Sequence, residues 1–154
     1  MIENYNPPKN PFLDIIYQDD DILVFNKSAG LLSVPGRDPK HADSLQKRAQ
    51  QKFPSALTVH RLDMDTSGLI IMAKNKAARR HLSIEFQERK VEKTYIARVF
   101  GALIENEGLI DLPLICDWPN RPKQIVDFEV GKPSQTKWQV LKRQDSETRL
   151  LLTP

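Results

Sequence analysis

The chain has 154 residues, of which 40% are hydrophobic and 28% charged, with a formal net charge of +3. This length suits one ordinary domain, and the composition does not suggest a disordered chain. The single cysteine, Cys116, excludes an internal disulfide framework and a zinc site built from clustered cysteines. The longest apolar run, residues 68–73, is too short to span a membrane, and the N-terminus lacks the apolar run of a secretory signal. We therefore expect a cytoplasmic protein with no membrane partner.

The basic residues concentrate in the middle third of the chain. Residues 43–101 carry 12 lysines and arginines against 6 acidic residues, whereas both flanking segments are slightly acidic. A localised basic patch on a chain with little net charge indicates a polyanion partner. A solvated helix face is the equal alternative on this observation alone.

An extended arm is predicted before the first strand. Prolines within residues 1–12 remove backbone donors and restrict the residues before them, which disfavours a helix. The three aspartates at 19–21 predict a solvated turn rather than a metal site, because no other ligand cluster accompanies them. The apolar run 22–25 predicts a short buried strand, and residues 31–35 predict an irregular or strand-like piece.

Two capped helices are predicted on either side of a second strand. The first helix begins after a cap at Asp43 or Ser44, and the longest helix spans about 76–89 after a cap at Asn75. The apolar run 69–73 predicts the strand between them. The long helix has its predicted buried side at Ala78, Leu82 and Phe86, and its outer face is basic.

The last third of the chain is predicted to be rich in strands. Two loops are expected, at 102–108 and at 113–122. The predicted strands lie within residues 93–101, 125–130, 134–141 and 149–152. The connections are short, which favours antiparallel pairing. We therefore predict an α+β fold with a mixed, mainly antiparallel sheet and flanking helices.

The stretch 60–69 places charged side chains at the mouth of an apolar strand. It reads His-Arg-Leu-Asp-Met-Asp-Thr-Ser-Gly-Leu. Catalytic groups favour loops held by rigid strands, and the charge of Arg61 allows Asp63 to stay ionised when partly buried. From the residues alone, Asp63 is a nucleophile, a base or one end of a structural salt bridge, and the last is the commonest.

The stretch 60–69 closely resembles the His-Arg-Leu-Asp-x-x-Thr-Ser-Gly signature of the RluA-type pseudouridine synthases. The segments 26–35 and 93–101 are similar to the Asn-Lys-Pro-x-Gly segment and the Lys-x-Tyr-x-Ala strand of that family, with Ser28 in place of the usual proline. The segment 112–123 is closer still to one branch of the family, whose members act on two RNA substrates.

The resemblance implies an isomerase that converts uridine to pseudouridine in RNA without a cofactor or a metal. It implies that Asp63 is the catalytic aspartate, acting either at C1′ or as a base, and that Arg61 holds the flipped nucleotide. It implies that Tyr95 packs on the uracil, although a half-buried strand aromatic is the commoner fate of such a tyrosine. The implied partners are a tRNA anticodon stem-loop and large-subunit ribosomal RNA, with no obligate protein partner.

Other residues are weaker candidates. The residues expected to support the motif are His60, Leu62, Thr66, Ser67 and Gly68. Trp118 and Arg121 can contact RNA by stacking and phosphate pairing, and a packed tryptophan corner is the equal alternative. Arg79 and Arg80 are expected to contact phosphate, with a plain solvated face as the alternative.

The resemblance covers only the first part of the family pattern. We expect residues 1–12 to form the arm and residues 13–154 the N-terminal part of a single catalytic domain, with no S4 RNA-binding domain. The pattern continues with Gly-Arg-Ser/Thr-His-Gln-Leu-Arg just past a strand such as 149–154, and its arginine is expected to pair with the catalytic carboxylate. We therefore expect a C-terminally truncated chain, and a catalytically incomplete RNA-binding fragment is the alternative function.

Overall fold

The computed structural model describes residues 4–154, so residues 1–3 of the predicted arm lie outside the described part. Residues 4–12 lie in no helix or strand. The chain divides into two compact units, the first ending at Val91 and the second spanning Glu92–Pro154. No helix among the described residues is long and apolar enough to cross a membrane.

The first unit contains a four-stranded antiparallel sheet in the order β1-β2-β4-β3. Its strands are β1 (Ile15–Gln18), β2 (Ile22–Lys27), β3 (Leu57–Thr58) and β4 (Gly68–Ala73). The central pair joins β2 to β4 along their whole lengths, which confirms both predicted apolar strands. Strand β1 was not predicted, because most of its side chains are exposed and no alternating pattern marks it. Residues 31–35 are irregular.

Among its described residues, the first unit also contains two α-helices and a short 3-10 helix (Pro39–His41). Helix α1 (Leu45–Lys52) begins after Ser44, whose hydroxyl accepts a hydrogen bond from the amide of Lys47. Helix α2 (Lys76–Gln87) begins after Asn75, whose side chain accepts from the amide of Ala78 at 2.8 Å. Both predicted caps are therefore confirmed, with Ser44 rather than Asp43 in the first. Helix α2 ends two residues before the predicted end.

The core of the first unit joins β2 and β4 to α1. Its buried members are Leu23, Phe25, Leu31, Leu45, Ala49, Ala56, Ile70 and Met72. Burying a side chain of the size of Leu or Phe stabilises a fold by about 1.5–3 kcal/mol, so this cluster holds the two central strands against α1. Helix α2 has no fully buried residue, and its predicted buried side, Ala78, Leu82 and Phe86, is half-buried.

The second unit contains a four-stranded antiparallel sheet in the order β5-β10-β9-β6 and a separate hairpin of β7 and β8. Its strands are β5 (Tyr95–Phe100), β6 (Glu107–Asp111), β7 (Leu114–Cys116), β8 (Gln124–Val126), β9 (Gln135–Arg143) and β10 (Glu147–Thr153). Every strand pair in the described residues is antiparallel. The predicted α+β class is confirmed.

Three predicted boundaries in the second unit are wrong. The predicted loop 102–108 gives way to β6 at Glu107, and the predicted loop 113–122 contains β7. The predicted strand 125–130 ends at Val126, because the side chain of Asp127 accepts from the amides of two residues that follow it and closes a turn. Short strands between prolines take their register from distant partners, which sequence patterns do not reveal.

Candidate active site

Residues 60–68 lead into β4 with exposed and half-buried side chains in alternation. Arg61, Asp63 and Asp65 are exposed, whereas the residues between them are half-buried. The amide of Thr66 donates to the carbonyl of Asp63 at 3.2 Å and closes a turn after it. This course presents Arg61 and Asp63 to solvent while the alternate side chains anchor the loop.

The backbone before Asp63 is fixed by one buried hydroxyl. Ser33 Oγ donates to the carbonyl of Leu62 at 2.6 Å and accepts from the amide of Leu62 at 3.1 Å. Ser33 is buried, and the side chain of Leu62 packs against the core of the first unit. Both backbone polar groups of the residue next to Asp63 are thereby satisfied away from water, which restricts how Asp63 can move.

The backbone after Asp63 is fixed by a buried ammonium. Lys27 is fully buried, and its Nζ donates to the carbonyls of Ser28 at 3.0 Å, Leu31 at 2.6 Å and Met64 at 3.0 Å. A lysine has three donors, so all of them are used. The amide of Gly30 adds a second hydrogen bond to Met64, at 2.9 Å. The end of β2 is thus tied directly to the residue that follows Asp63.

The charge of Lys27 lies behind the loop that carries the exposed carboxylates. Burial lowers the pKa of Lys27, and the charges of Asp65 and Asp63 act in the opposite direction and raise it. Among the described residues, no ion pair involves Asp63. The salt-bridge interpretation of Asp63 therefore has no partner in this part of the chain. The arrangement is an exposed carboxylate on a fixed backbone with a cation behind it.

Two residues frame the ends of the loop. His60 Nε2 accepts a hydrogen bond from the amide of Ile71 at 3.1 Å, and its ring stacks on Phe86 of α2 with centroids 4.4 Å apart. Because that nitrogen already accepts a backbone hydrogen bond, the geometry favours a structural role for His60. Gly68 has a φ of +123°, and no atom lies within 4 Å of an added Cβ, so backbone conformation rather than space requires glycine there. Ser67, next to it, is exposed.

Helix α2 presents a basic face to solvent, as predicted. Lys76, Arg79 and Arg80 are exposed, and within residues 4–154 no ion pair involves either arginine. Lys90, just beyond the helix, is different because its Nζ lies 2.6 Å from a carboxylate oxygen of Glu88. Arg79 and Arg80 are therefore better candidates than Lys90 for contacting an external anion.

Tyr95 opens strand β5 in the second unit and is half-buried. It lies opposite Leu152 of β10, which in turn lies opposite Trp138 of β9. Alternate residues of β5 are exposed, so Tyr95 belongs to the more covered face of the strand. Half-burial is compatible both with a structural strand aromatic and with a ring that offers one edge to a ligand.

Trp118 and Arg121 lie in the loop that joins β7 to β8. Trp118 is 64% exposed, and the guanidinium carbon of Arg121 lies 4.8 Å from the centroid of its ring. The loop is held by Asp117, whose amide donates to the carbonyl of Lys123 at 2.9 Å and whose carboxylate accepts from Asn120 at 2.8 Å. The alternative of a packed tryptophan corner is therefore wrong.

Sequence reasoning missed Lys27 and Ser33. One signal for Lys27 was available, because Leu23, Phe25 and Lys27 alternate on the buried face of β2 and a lysine facing a core needs partners. Ser33 gave no comparable signal, since its partner Leu62 is distant in sequence. In the described part of the chain, no group of His, Cys, Asp and Glu side chains is arranged to hold a metal ion.

Comparison with known proteins identifies similar sequences along nearly the whole chain. A family model described as RNA pseudouridylate synthase matches residues 21–154. The dual-specificity RNA pseudouridine synthase RluA of Escherichia coli (strain K12) is 56% identical over 154 residues, which cover 99% of this chain and 70% of that protein. The RluA of Yersinia pestis is 59% identical over 141 residues, which cover 91% of this chain and 68% of that protein.

Two solved human structures share the fold. The human RNA pseudouridylate synthase domain containing 1 has a TM-score of 0.75 at 30% identity, over 97% of this chain and 62% of that one. The human RNA pseudouridylate synthase domain containing 4 has a TM-score of 0.71 at 23% identity, over 92% of this chain and 58% of that one. The chain thus spans less than two thirds of either human protein, and the expected likeness of fold is confirmed.

Proposed function

Because the chain belongs to the RNA pseudouridylate synthase family of isomerases, we propose that it converts uridine to pseudouridine in structured RNA with Asp63 as the catalytic carboxylate. One observation carries the proposal. The backbone is fixed on both sides of Asp63, by Ser33 and by Lys27, while Asp63 itself is exposed. A reacting group needs this combination of a fixed position and access to substrate.

The reaction sets what the carboxylate must do. The N1–C1′ bond of uridine breaks, the base rotates and a C5–C1′ bond forms. C5 loses its proton and N1 gains one, so the product is an isomer of uridine and there is no net oxidation or reduction. Asp63 assists departure of the base, either by adding to C1′ and so stabilising the electron-poor sugar or by acting as a base at the sugar.

The target uridine must leave its stack to reach Asp63, which costs a few kcal/mol. Arg61 is exposed two residues before Asp63, and we assign it to the space that the base vacates, because a planar guanidinium can stack and donate hydrogen bonds together. The resemblance of residues 93–101 to the Lys-x-Tyr-x-Ala strand of the family supports assigning Tyr95 to the uracil ring. The exposed pair of Trp118 and Arg121 supports a further contact with an unpaired base.

The proposed substrates are a uridine in a tRNA anticodon stem-loop and a uridine in large-subunit ribosomal RNA. The support is the 56% identity to an enzyme named for dual specificity. One enzyme can accept two RNAs when it recognises a loop shape and a few splayed bases rather than a long sequence. The exposed Arg79 and Arg80 of α2 supply charge for the phosphate backbone.

The test measures tritium release from anticodon stem-loop RNA labelled at uridine C5. We expect release by the wild-type chain, none by Asp63→Asn, and near-normal release by the matched control Asp65→Asn, whose carboxylate is exposed in the same loop. Equal rates for the two variants would contradict the assignment of Asp63. RNA binding by the wild-type chain without any release would instead favour the alternative, an RNA-binding chain that does not turn over.

A further inference from the structure

The arm before β1 packs against the segment that holds the candidate active-site loop. Tyr5 Oη accepts from the amide of Leu32 at 2.9 Å and donates to the carbonyl of Asp43 at 2.8 Å. The ring of Tyr5 lies edge-on to His41, with centroids 5.7 Å apart. Pro8 lies against the same segment, since its Cδ is 3.5 Å from where a Cβ on Gly30 would stand. One arm hydroxyl thus bridges two separate parts of the first unit.

A buried arginine fastens the arm in place. Arg48 of α1 is 1% exposed, and it donates to the carbonyls of Pro8 at 2.8 Å and Phe12 at 3.1 Å. Its guanidinium also lies 4.6 Å from the centroid of the Phe12 ring and forms a bidentate pair with Asp43 at 2.8 and 2.7 Å. The prolines of the arm reduce the conformational freedom that such fastening must remove.

The segment under the arm leads directly to Asp63. The amide of Leu32 bonds to Tyr5, and its carbonyl accepts from the amide of Leu45 at 2.8 Å, so both backbone groups of Leu32 are held. The next residue, Ser33, makes both hydrogen bonds to Leu62, which precedes Asp63. The path from the arm to Asp63 therefore consists of consecutive hydrogen bonds through one two-residue segment.

We infer that Tyr5 is a positioning residue for the isomerisation, acting through Leu32, Ser33 and Leu62 on the placement of Asp63. The inference rests on the proposed function of Asp63 and assigns no substrate contact to Tyr5. A reacting group that moves by a fraction of an ångström loses rate without losing affinity for the bulk of the RNA. Loss of the Tyr5 hydroxyl should therefore lower the chemical rate and leave RNA binding unchanged.

The test compares Tyr5→Phe with Tyr17→Phe, a matched control whose hydroxyl donates only to the exposed Asp19 at 3.1 Å. We expect the single-turnover rate at saturating RNA to fall about tenfold in Tyr5→Phe and to stay normal in the control, with equal RNA dissociation constants. We also expect the effect of Tyr5→Phe to disappear in a Ser33→Ala background, because both variants break the same path. A purely structural role would give independent, multiplicative losses.

Hydrogen exchange supplies a second readout that does not depend on turnover. We expect Tyr5→Phe to accelerate exchange of the Leu62 amide relative to Tyr17→Phe, since the Ser33 hydroxyl that accepts from that amide loses its support. Unchanged exchange, or a rate equal to that of the control variant, would overturn the inference. If the wild-type chain shows no turnover, the proposed function fails, and the exchange experiment still decides whether the arm supports the loop.

Discussion

Replacing Lys27 by methionine is the most direct way to test what holds the active-site loop. The variant keeps most of the apolar stem and removes the ammonium, which donates to Ser28, Leu31 and Met64. Hydrogen bonds to a charged group contribute about 1.5–3 kcal/mol each. Removing a buried charge returns several kcal/mol of desolvation cost, so the net loss should be about 2–4 kcal/mol.

The measurement exploits the distribution of helices and tryptophans. Both α-helices lie in the first unit, and both tryptophans, Trp118 and Trp138, lie in the second. Circular dichroism at the helical band therefore follows the unit that contains Lys27, while tryptophan fluorescence follows the other. We expect Lys27→Met to lower the urea midpoint of the circular dichroism transition by the amount that corresponds to this loss.

The control makes the same chemical change on the surface. Lys47 is exposed on α1 of the same unit, and surface substitutions usually stay within about 0.5 kcal/mol. If Lys27→Met and Lys47→Met unfold within about 1 kcal/mol of each other, the three donated hydrogen bonds do not hold the loop. Lys27 would then not be the residue that fixes the backbone at Met64.

Two further predictions concern charge. Hydrogen bonds from Arg48 lower the pKa of Asp43 below its usual 3.8, so the stability that Asp43 contributes is present above that value and is lost as the pH falls through the folded pKa. Asp43→Asn should therefore flatten the decline in unfolding free energy below about pH 4. A slope that the substitution leaves unchanged between pH 2 and 4 would contradict this. Replacing Arg79 and Arg80 by glutamine should reduce the slope of log binding constant against log salt concentration by about 0.7–0.9 for each phosphate contact that is lost. An unaltered slope would show that the exposed face of α2 does not contact RNA.

The sequence contained the parts of the fold that depend on local chemistry. Ser44 and Asn75 could be predicted as caps because a cap needs only its own side chain and the amide three residues on. The apolar runs of β2 and β4 predict buried strands from their composition alone. The exposed strand β1 and the edge strand β6 take their identity from partners far along the chain, and their own side chains carry little pattern.

The candidate site divides in the same way. The motif could be recognised as a string of residues, so Arg61 and Asp63 were available as predictions. The alternation along β2 signals that Lys27 is buried, but it does not identify the carbonyls that Lys27 contacts. The contacts of the two supports could not be predicted, because Ser33 reaches Leu62 across 29 positions and Lys27 reaches Met64 across 37. Contacts of this kind depend on how the elements pack, and no local pattern encodes them.

In the described part of the first unit, the fully buried side chains of Lys27 and Arg48 donate hydrogen bonds to backbone carbonyls that no helix or strand satisfies. Helices and strands satisfy their own carbonyls, but a buried loop cannot, and each unsatisfied carbonyl costs about 1–3 kcal/mol. Lys27 donates to three carbonyls of irregular backbone, and Arg48 donates to two carbonyls of the arm. Each cation therefore supplies the hydrogen-bond donors that a neighbouring strand would supply in a sheet. The loop that carries Asp63 can in this way be rigid and irregular at once, which leaves its outward side chains available for chemistry.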